Sequence, residues 1–177
     1  MAGEHLGKYA RRVVTGLDDS GKSTIVSDDL ATVRVATPGF TVSDIWRIES
    51  LPVDVLSEDA TTGKVLLDPP PAGFIYRITT IPPDSEWDAA ADYGDALAAM
   101  GGADAITESD SEGAGLHQTT TVDIVTILSG ELYAVMENGE TLLKPGDSLV
   151  QRGTVHTWSN RGKVPCTKVA LQIGGLR

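Results

Sequence analysis

The chain has 177 residues, of which 41% are hydrophobic and 22% are charged, values typical of a globular domain that is long enough to bury a core. The formal net charge of -11 disfavours nucleic acid and anionic lipid as partners. No apolar run approaches the roughly 20 residues of a membrane-spanning helix, and the first residues lack the apolar core of a signal peptide.

The dominant pattern along the chain is that of β-strands. Short runs rich in Val, Ile, Thr and aromatic residues recur between clusters of Gly, Pro, Asn and Asp, which is typical of an all-β protein. The predicted strands are 11–15, 23–26, 32–36, 45–48, 74–80, 117–128, 132–137, 141–143, 148–151, 156–159 and 167–172. Asn138 and Gly139 separate two of these runs and predict a tight hairpin turn, because both residues tolerate a positive φ.

Between the first two strands the sequence GLDDSGKS satisfies the phosphate-loop pattern G-x-x-x-x-G-K-[ST]. The matching residues are Gly16, Gly21, Lys22 and Ser23. A phosphate loop requires a helix directly after it, whereas the next residues are β-branched, and Asp18 and Asp19 would place two negative charges in the anion cradle. We interpret the segment as a hairpin loop and expect no nucleotide at Lys22.

Residues 84–112 form an acidic insertion, with nine acidic residues and no basic one. Within it Tyr93, Leu97 and Met100 lie at i, i+4 and i+7, which predicts a short amphipathic helix in 89–100. The insertion is interpreted either as a solvated acidic loop with one or two helical turns, or as a lid over the mouth of the barrel.

Two of the three histidines lie in the strand-rich second half of the chain. In the segment 115–130 the two-residue period of a strand places a polar set and then an apolar set on one face. The polar set is His117, Thr119, Thr121 and Asp123, and the apolar set is Val125 and Ile127. This arrangement predicts a pocket at one end of a barrel.

The segment 145–160 carries the other histidine, His156, after a Pro-Gly-Asp turn and a bend that Gly153 permits. If this strand crosses the barrel from the first, His117, Asp123 and His156 meet. Two imidazoles and one carboxylate form a ligand set for a divalent metal that leaves positions open for water and substrate.

The two segments resemble the sequence motifs of the cupin superfamily, G-x5-H-x-H-x3–4-E-x6-G and G-x5-P-x-G-x2-H-x3-N. The positions that match are His117, Asp123 in place of the glutamate, Gly130, Gly153, His156 and Asn160. Thr119 stands where the family has its second histidine, and Gln151 replaces the proline of the second motif.

The resemblance implies an all-β fold, a jelly-roll-like antiparallel cupin barrel, over a single domain 1–177. Within it, 1–80 would supply extra N-terminal strands, 84–112 the acidic helical or loop insertion, and 115–172 the cupin core. Cupins similar to this chain commonly form homodimers through N-terminal strands, so 11–36 is the candidate interface.

The same resemblance implies one divalent ion (Zn, Fe, Mn or Ni) held by His117, Asp123 and His156. The alternative is a vestigial site in which the two histidines are only hydrogen-bonded. Candidate substrate-binding residues are Thr119, Tyr133, Gln151, Arg152 and Trp158. If Arg152 faces the mouth, it would select an anionic substrate.

Three functions remain open at this point. The first is a metal-dependent enzyme on a small oxygenated organic acid, a decarboxylase, dehydratase or isomerase-type lyase, with Asp123 as ligand or general base. The second is an Fe(II)-dependent dioxygenase. The third is a non-catalytic module that binds a small molecule.

Cys166 is the one cysteine of the chain, so an internal disulfide and a cysteine-based zinc site are both excluded. A single cysteine suits a reducing compartment, and we expect a cytoplasmic protein.

Overall fold

The structure is a computed structural model that describes residues 2–106 and 115–176. The described part contains eleven strands and one α-helix. The strands are β1 Arg11–Leu17, β2 Ser23–Leu30, β3 Arg34–Thr37, β4 Phe40–Ile48, β5 Phe74–Ile81, β6 Thr121–Ser129, β7 Leu132–Met136, β8 Glu140–Leu143, β9 Ser148–Gln151, β10 His156–Ser159 and β11 Cys166–Gly174. The helix is α1 Ala89–Ala98, and short 3₁₀ turns cover Glu4–Gly7, Asp84–Glu86 and Ala103–Ala105. Each predicted strand has a counterpart, so the all-β prediction is confirmed.

Two antiparallel sheets enclose one core. The larger sheet has the order β3-β4-β5-β11-β6-β9 and the smaller one β10-β7-β8. Val42 and Ile127 from the larger sheet and Leu132 and Ala134 from the smaller one are buried in the same apolar cluster. Two sheets that share a core in this way form the jelly-roll-like barrel that the sequence predicted.

Strands β1 and β2 form a separate two-stranded hairpin. The segment that resembles a phosphate loop is its turn, and the backbone amides there are already bound. Asp18 Oδ1 accepts hydrogen bonds from the backbone N–H groups of Ser20, at 2.8 Å, and Lys22, at 3.0 Å, while Gly21 takes a φ of +77°. Strand β2 begins at Ser23, where a phosphate loop would begin a helix.

Helix α1 packs on the barrel. Asp88 caps its first turn by accepting hydrogen bonds from the backbone N–H groups of Ala90 and Ala91. Tyr93, Leu97 and Met100 are all buried in the apolar core. The described part of the insertion is therefore packed and not a solvated loop. Its residues 107–112 lie outside the described residues, and its role as a lid stays a prediction.

Strand β6 is shorter than the predicted strand 117–128. It begins at Thr121, and His117 instead forms isolated bridges with Ile106 and His156. In the described ranges 2–106 and 115–176, no helix is long and apolar enough to cross a membrane.

Candidate functional site

An isolated antiparallel bridge pairs the two histidines of the motifs. The His117 N–H donates to the His156 carbonyl and the His156 N–H donates to the His117 carbonyl, both at 3.0 Å. Residues paired in this way project their side chains from the same face, and the two ring centroids lie 4.3 Å apart. The bridge also connects the start of β6 in the larger sheet with β10 in the smaller one.

Both imidazoles are held by their Nδ1 atoms. His117 Nδ1 lies 3.1 Å from the Gly115 carbonyl oxygen, and His156 Nδ1 lies 2.9 Å from that of Thr154. A carbonyl oxygen only accepts, so these contacts favour a proton on Nδ1 and leave a lone pair on each Nε2. Burial lowers the pKa of His117, and burial together with the neighbouring His117 lowers the pKa of His156 to about 3. Both rings are therefore neutral at pH 7.

Further side chains fix the two rings. The Tyr93 hydroxyl lies 3.2 Å from His117 Nδ1, which connects helix α1 to the site, and burial raises the pKa of that phenol. Gln151 Nε2 lies 3.0 Å from His156 Nδ1. Because both atoms are donors when Nδ1 carries the proton, Gln151 donates to the Thr154 carbonyl at 2.7 Å and its hydroxyl at 2.8 Å, and only packs against the ring. Gln151 therefore contacts the ring from behind.

Strand β6 presents a polar inner face, as predicted. Thr119, Thr121 and Asp123 are each at most 6% exposed, and Val125 and Ile127 continue that face as apolar core. Asp123 Oδ2 accepts a hydrogen bond of 3.0 Å from Gln172 Nε2 on β11. Asp123 Oδ1 and Gln172 Oε1 are buried and have no hydrogen-bond partner in the described part of the chain.

Strand β11 adds a buried amine. Its inward residues alternate with half-buried ones and are Cys166, Lys168, Ala170 and Gln172. Lys168 Nζ lies 3.6 Å from the centroid of the Trp158 ring. Burial lowers the pKa of Lys168 to about 7, against the opposing effect of the Asp123 charge.

A buried ion pair lies on the neighbouring strands of the same sheet. Arg77 Nε on β5 lies 3.0 Å from Asp44 Oδ1 on β4, and both side chains are 5% exposed. Arg77 also donates to the Leu66 carbonyl at 2.7 Å. The Arg77 charge is therefore already compensated by protein groups.

These side chains enclose an internal cavity of about 80 Å³. Its polar lining includes His117, Thr119, Asp123, His156, Lys168 and Gln172. Aromatic and aliphatic side chains close the remainder, among them Phe40, Trp87, Tyr93, Leu97 and Trp158. The volume is several times that needed for one water, so it suits a ligand of few non-hydrogen atoms.

The structure places the predicted site residues in two groups. His117, Thr119, Asp123, His156 and Trp158 line the cavity. Three others do not: Gln151 lies behind His156, Arg152 is exposed, and the ring of Tyr133 stacks under the Arg161 guanidinium at 4.1 Å. Arg152 follows the end of β9 and is exposed, and its role in selecting an anionic substrate stays a prediction.

The end of the second motif has a structural role. Asn160 is 1% exposed, and its side-chain amide donates to the carbonyls of Ile81 and Val164, both at 3.0 Å. Gly153 takes a φ of +63° in the predicted bend before His156. Strand β6 of the first motif segment and β10 of the second thus lie on facing sheets, and the His117–His156 bridge joins the two segments. The chain thus has the all-β, jelly-roll-like architecture that its resemblance to cupins implied.

The solved structures to which this chain is similar include cupin domains. The cupin domain of Cnp3 from Schizosaccharomyces pombe matches with a TM-score of 0.49 and 11% identity, over 93% of this chain and 87% of that one. A putative ethanolamine utilization protein Q from Salmonella typhimurium matches with a TM-score of 0.44 and 10% identity, over 96% and 100% of the two chains. No family model matches the chain.

Curated relatives match a short part of the sequence. Phomopsin biosynthesis cluster protein C' from Diaporthe leptostromiformis is 47% identical over 47 residues, 26% of this chain and 25% of the relative. Oryzines biosynthesis cluster protein J from Aspergillus oryzae is 50% identical over 48 residues, 27% of each. The chain thus matches about a quarter of the length of these relatives.

The sequence reasoning missed Lys168, Gln172, Arg77 and Asp44. Lys168 and Gln172 lie on the same face of β11, and Val169 and Leu171 lie on the other face. The two-residue spacing was the one sequence signal that Lys168 and Gln172 share a face. This spacing does not tell which face of β11 points into the barrel.

Proposed function

We propose that this cupin binds a small oxygenated organic acid in its cavity and acts on it as a lyase or isomerase, with Asp123 as the general base. The observation that carries the proposal is the pair of buried acceptors Asp123 Oδ1 and Gln172 Oε1, which lack donors among the described residues. An unsatisfied buried acceptor costs about 1–3 kcal/mol. A ligand hydroxyl in the cavity would remove that cost.

The surrounding contacts suit proton transfer. The hydrogen bond from Gln172 Nε2 to Asp123 Oδ2 fixes the carboxylate and leaves Oδ1 directed to the ligand. Asp123 can then accept a proton from a hydroxyl or from a carbon next to a carbonyl group. The neutral rings of His117 and His156 line the same cavity and can exchange a proton at Nε2.

The residues present do not fit a three-ligand metal site. Within the described ranges, no three His, Cys, Asp or Glu side chains are grouped so that they could hold one ion. His117 and His156 offer two imidazoles, but among the described residues Asp123 is not grouped with them as a third ligand. The proposed reaction therefore includes no step at a divalent ion. The same lack of a third ligand counts against the Fe(II)-dependent dioxygenase.

The curated relatives are consistent with a small-molecule substrate. Their names place them in biosynthesis clusters, for phomopsin and for oryzines. Because the matches cover about a quarter of each protein, they support the class of ligand and no particular reaction.

The test is calorimetric titration with malonate, malate and 2-oxoglutarate, followed by NMR detection of product, for wild type and Asp123→Asn. We expect one acid to bind and to be converted by wild type, and conversion to fall at least ~100-fold in Asp123→Asn, the scale of a lost general base. Asp147→Asn, which alters an exposed turn carboxylate, is the matched control. Binding without conversion in wild type would support the alternative of a non-catalytic module. Unchanged conversion by Asp123→Asn would show that Asp123 is not the general base.

We also propose that hairpin β1–β2 pairs with a second copy of the chain. Its support is the set of exposed apolar side chains on a two-stranded sheet, which is marginally stable alone. These are Val13, Leu17, Ile25, Val26 and Leu30. Sedimentation velocity of wild type and Ile25→Lys tests the pairing, since a charge at that position would favour the monomer.

A further inference from the structure

We propose that Lys168 forms a covalent imine with a carbonyl group of the ligand, which makes the substrate a 2-oxo acid or a related carbonyl-bearing acid. This inference rests on the proposed function, because it assumes that the acid enters the same cavity. It assigns a nucleophile to the site and narrows the substrate class.

The geometry around Lys168 is that of an amine kept available for a ligand. Its side chain is part of an inward face of β11, the residue is 7% exposed, and it lines the cavity. No carboxylate oxygen of the described residues lies within 4.0 Å of Nζ, in contrast to Arg77, which is paired with Asp44. The neighbour of Nζ is the face of Trp158, at 3.6 Å from its centroid. Burying a lysine without a directly paired carboxylate is costly, which favours a role for its amine toward a ligand.

The electrostatic environment keeps part of this amine neutral. The charged and titratable groups that act on it are Asp123 from β6, Arg77 from β5 and Cys166 from its own strand, together with the two cavity histidines His117 and His156. Desolvation outweighs the attraction of Asp123, and the pKa of Lys168 falls to about 7. About half of the amines are therefore nucleophilic at pH 7, as in other desolvated lysines that form Schiff bases. Burial raises the pKa of the nearby Cys166 thiol to about 11, so the thiol does not compete.

The reaction balances without an oxidant or a reductant. The lone pair of Nζ forms a bond to the carbonyl carbon, and the carbonyl π pair moves to oxygen, which takes one proton from the nitrogen. The resulting carbinolamine loses that oxygen as water together with the second hydrogen of the amine, and a C=N bond remains. Neutral His117 and His156 line the same cavity and can carry these protons.

An imine would provide the electron acceptor that a metal ion would provide in a complete metal site. Once protonated, its C=N bond accepts the electron pair that is released when a proton or a carboxylate leaves the neighbouring carbon. Asp123 lies on the strand next to β11 and would remove that proton. The cavity thus holds an electron acceptor and a base for lyase or isomerase chemistry.

The test is reductive trapping. The whole chain is incubated with glyoxylate, pyruvate or acetaldehyde and sodium cyanoborohydride, and the intact mass and the modified peptide are determined. We expect a single reduced adduct on Lys168 in wild type, and its loss in Lys168→Arg, which keeps a cation that stacks on Trp158, and in Lys168→Met. Lys144→Arg, which changes an exposed lysine, should label as wild type does.

The outcomes separate the imine from the proposed function. No adduct on Lys168 with any of the three probes, or adducts spread over exposed lysines, would overturn the imine. Binding of malonate without trapping at Lys168 would refute the imine and support the proposed acid-binding site. Trapping of acetaldehyde without binding of any acid would keep the reactive amine and remove the proposed substrate class.

Discussion

Acid should destabilise this protein through the buried histidine pair. The pKa of His156 is lowered from 6.5 to about 3 by burial and by the adjacent His117, whose own pKa shifts in the same direction. An unfolded imidazole therefore binds a proton at a pH where the folded one does not. Because the unfolded state gains the proton first, the free energy of unfolding falls as the pH drops below 6.5, and it continues to fall until about 3.

The magnitude follows from the pH interval that is crossed. Between pH 7 and pH 5 the unfolded His156 passes through about 1.5 pH units below its ordinary pKa, at 1.36 kcal/mol per unit, which gives about 2 kcal/mol. This is a substantial fraction of the roughly 5–15 kcal/mol by which domains are stable. His117 adds to the loss with the same sign.

The assay is urea unfolding of wild type, His156→Asn and Trp158→Phe at pH 7 and pH 5, followed by circular dichroism. Asn keeps a donor near the Thr154 carbonyl but does not titrate, so the variant should lose about 2 kcal/mol less than wild type between the two pH values. Trp158→Phe disturbs the same wall, whose ring centroid lies 5.8 Å from that of His156, and should keep the wild-type difference. An equal pH difference in wild type and His156→Asn would refute the reasoning.

Two further predictions concern the helix and the metal. Leu97→Ala, at a side chain that is 2% exposed, should lower the free energy of unfolding by about 2–5 kcal/mol in urea titrations, whereas Asp95→Ala on the exposed side of the same helix should change it little; a small effect at Leu97 would mean that α1 is not part of the core. After reconstitution and dialysis, wild type should retain well under one equivalent of Zn²⁺, Mn²⁺, Ni²⁺ or Fe²⁺ by plasma mass spectrometry, because two imidazoles alone hold an exchangeable ion weakly. Thr119→His should raise retention, and a full equivalent in wild type that is lost in His117→Ala would restore the three-ligand site.

The strands were predictable because alternation and turn residues are local properties. The bounds were not, because pairing across strands determines where each strand ends. Strand β2 was predicted to end at residue 26 and continues to Leu30, since the Arg11 guanidinium on β1 forms two hydrogen bonds of 2.7 Å with Asp28. A pair of acidic residues that breaks a strand pattern in sequence is thus accommodated by a partner strand.

The sequence predicted that the two histidines approach each other inside the barrel. It did not predict that their backbones pair in an isolated bridge. Motif spacing predicted that His117 and His156 approach each other. It also placed Asp123 beside them, on the argument that residues of one strand face share a pocket. That argument predicts the shared face. It does not predict the hydrogen bond that Gln172 on the neighbouring strand donates to the Asp123 carboxylate.

The buried amine of Lys168 could not be predicted, because the alternation of β11 is the reverse of the usual one. Its buried polar residues face the interior and its large aliphatic residues face outward. Val169, Leu171 and Ile173 are the large aliphatic residues of that strand, and a two-residue pattern ordinarily directs such residues to the core. Here they are half-buried on the outer face, and Lys168 and Gln172 point inward. A polar inner face is costly in a barrel filled by side chains, and it is tolerable where the interior is a cavity that admits a polar ligand. The reversed strand is therefore the physical reason to regard this interior as a binding site.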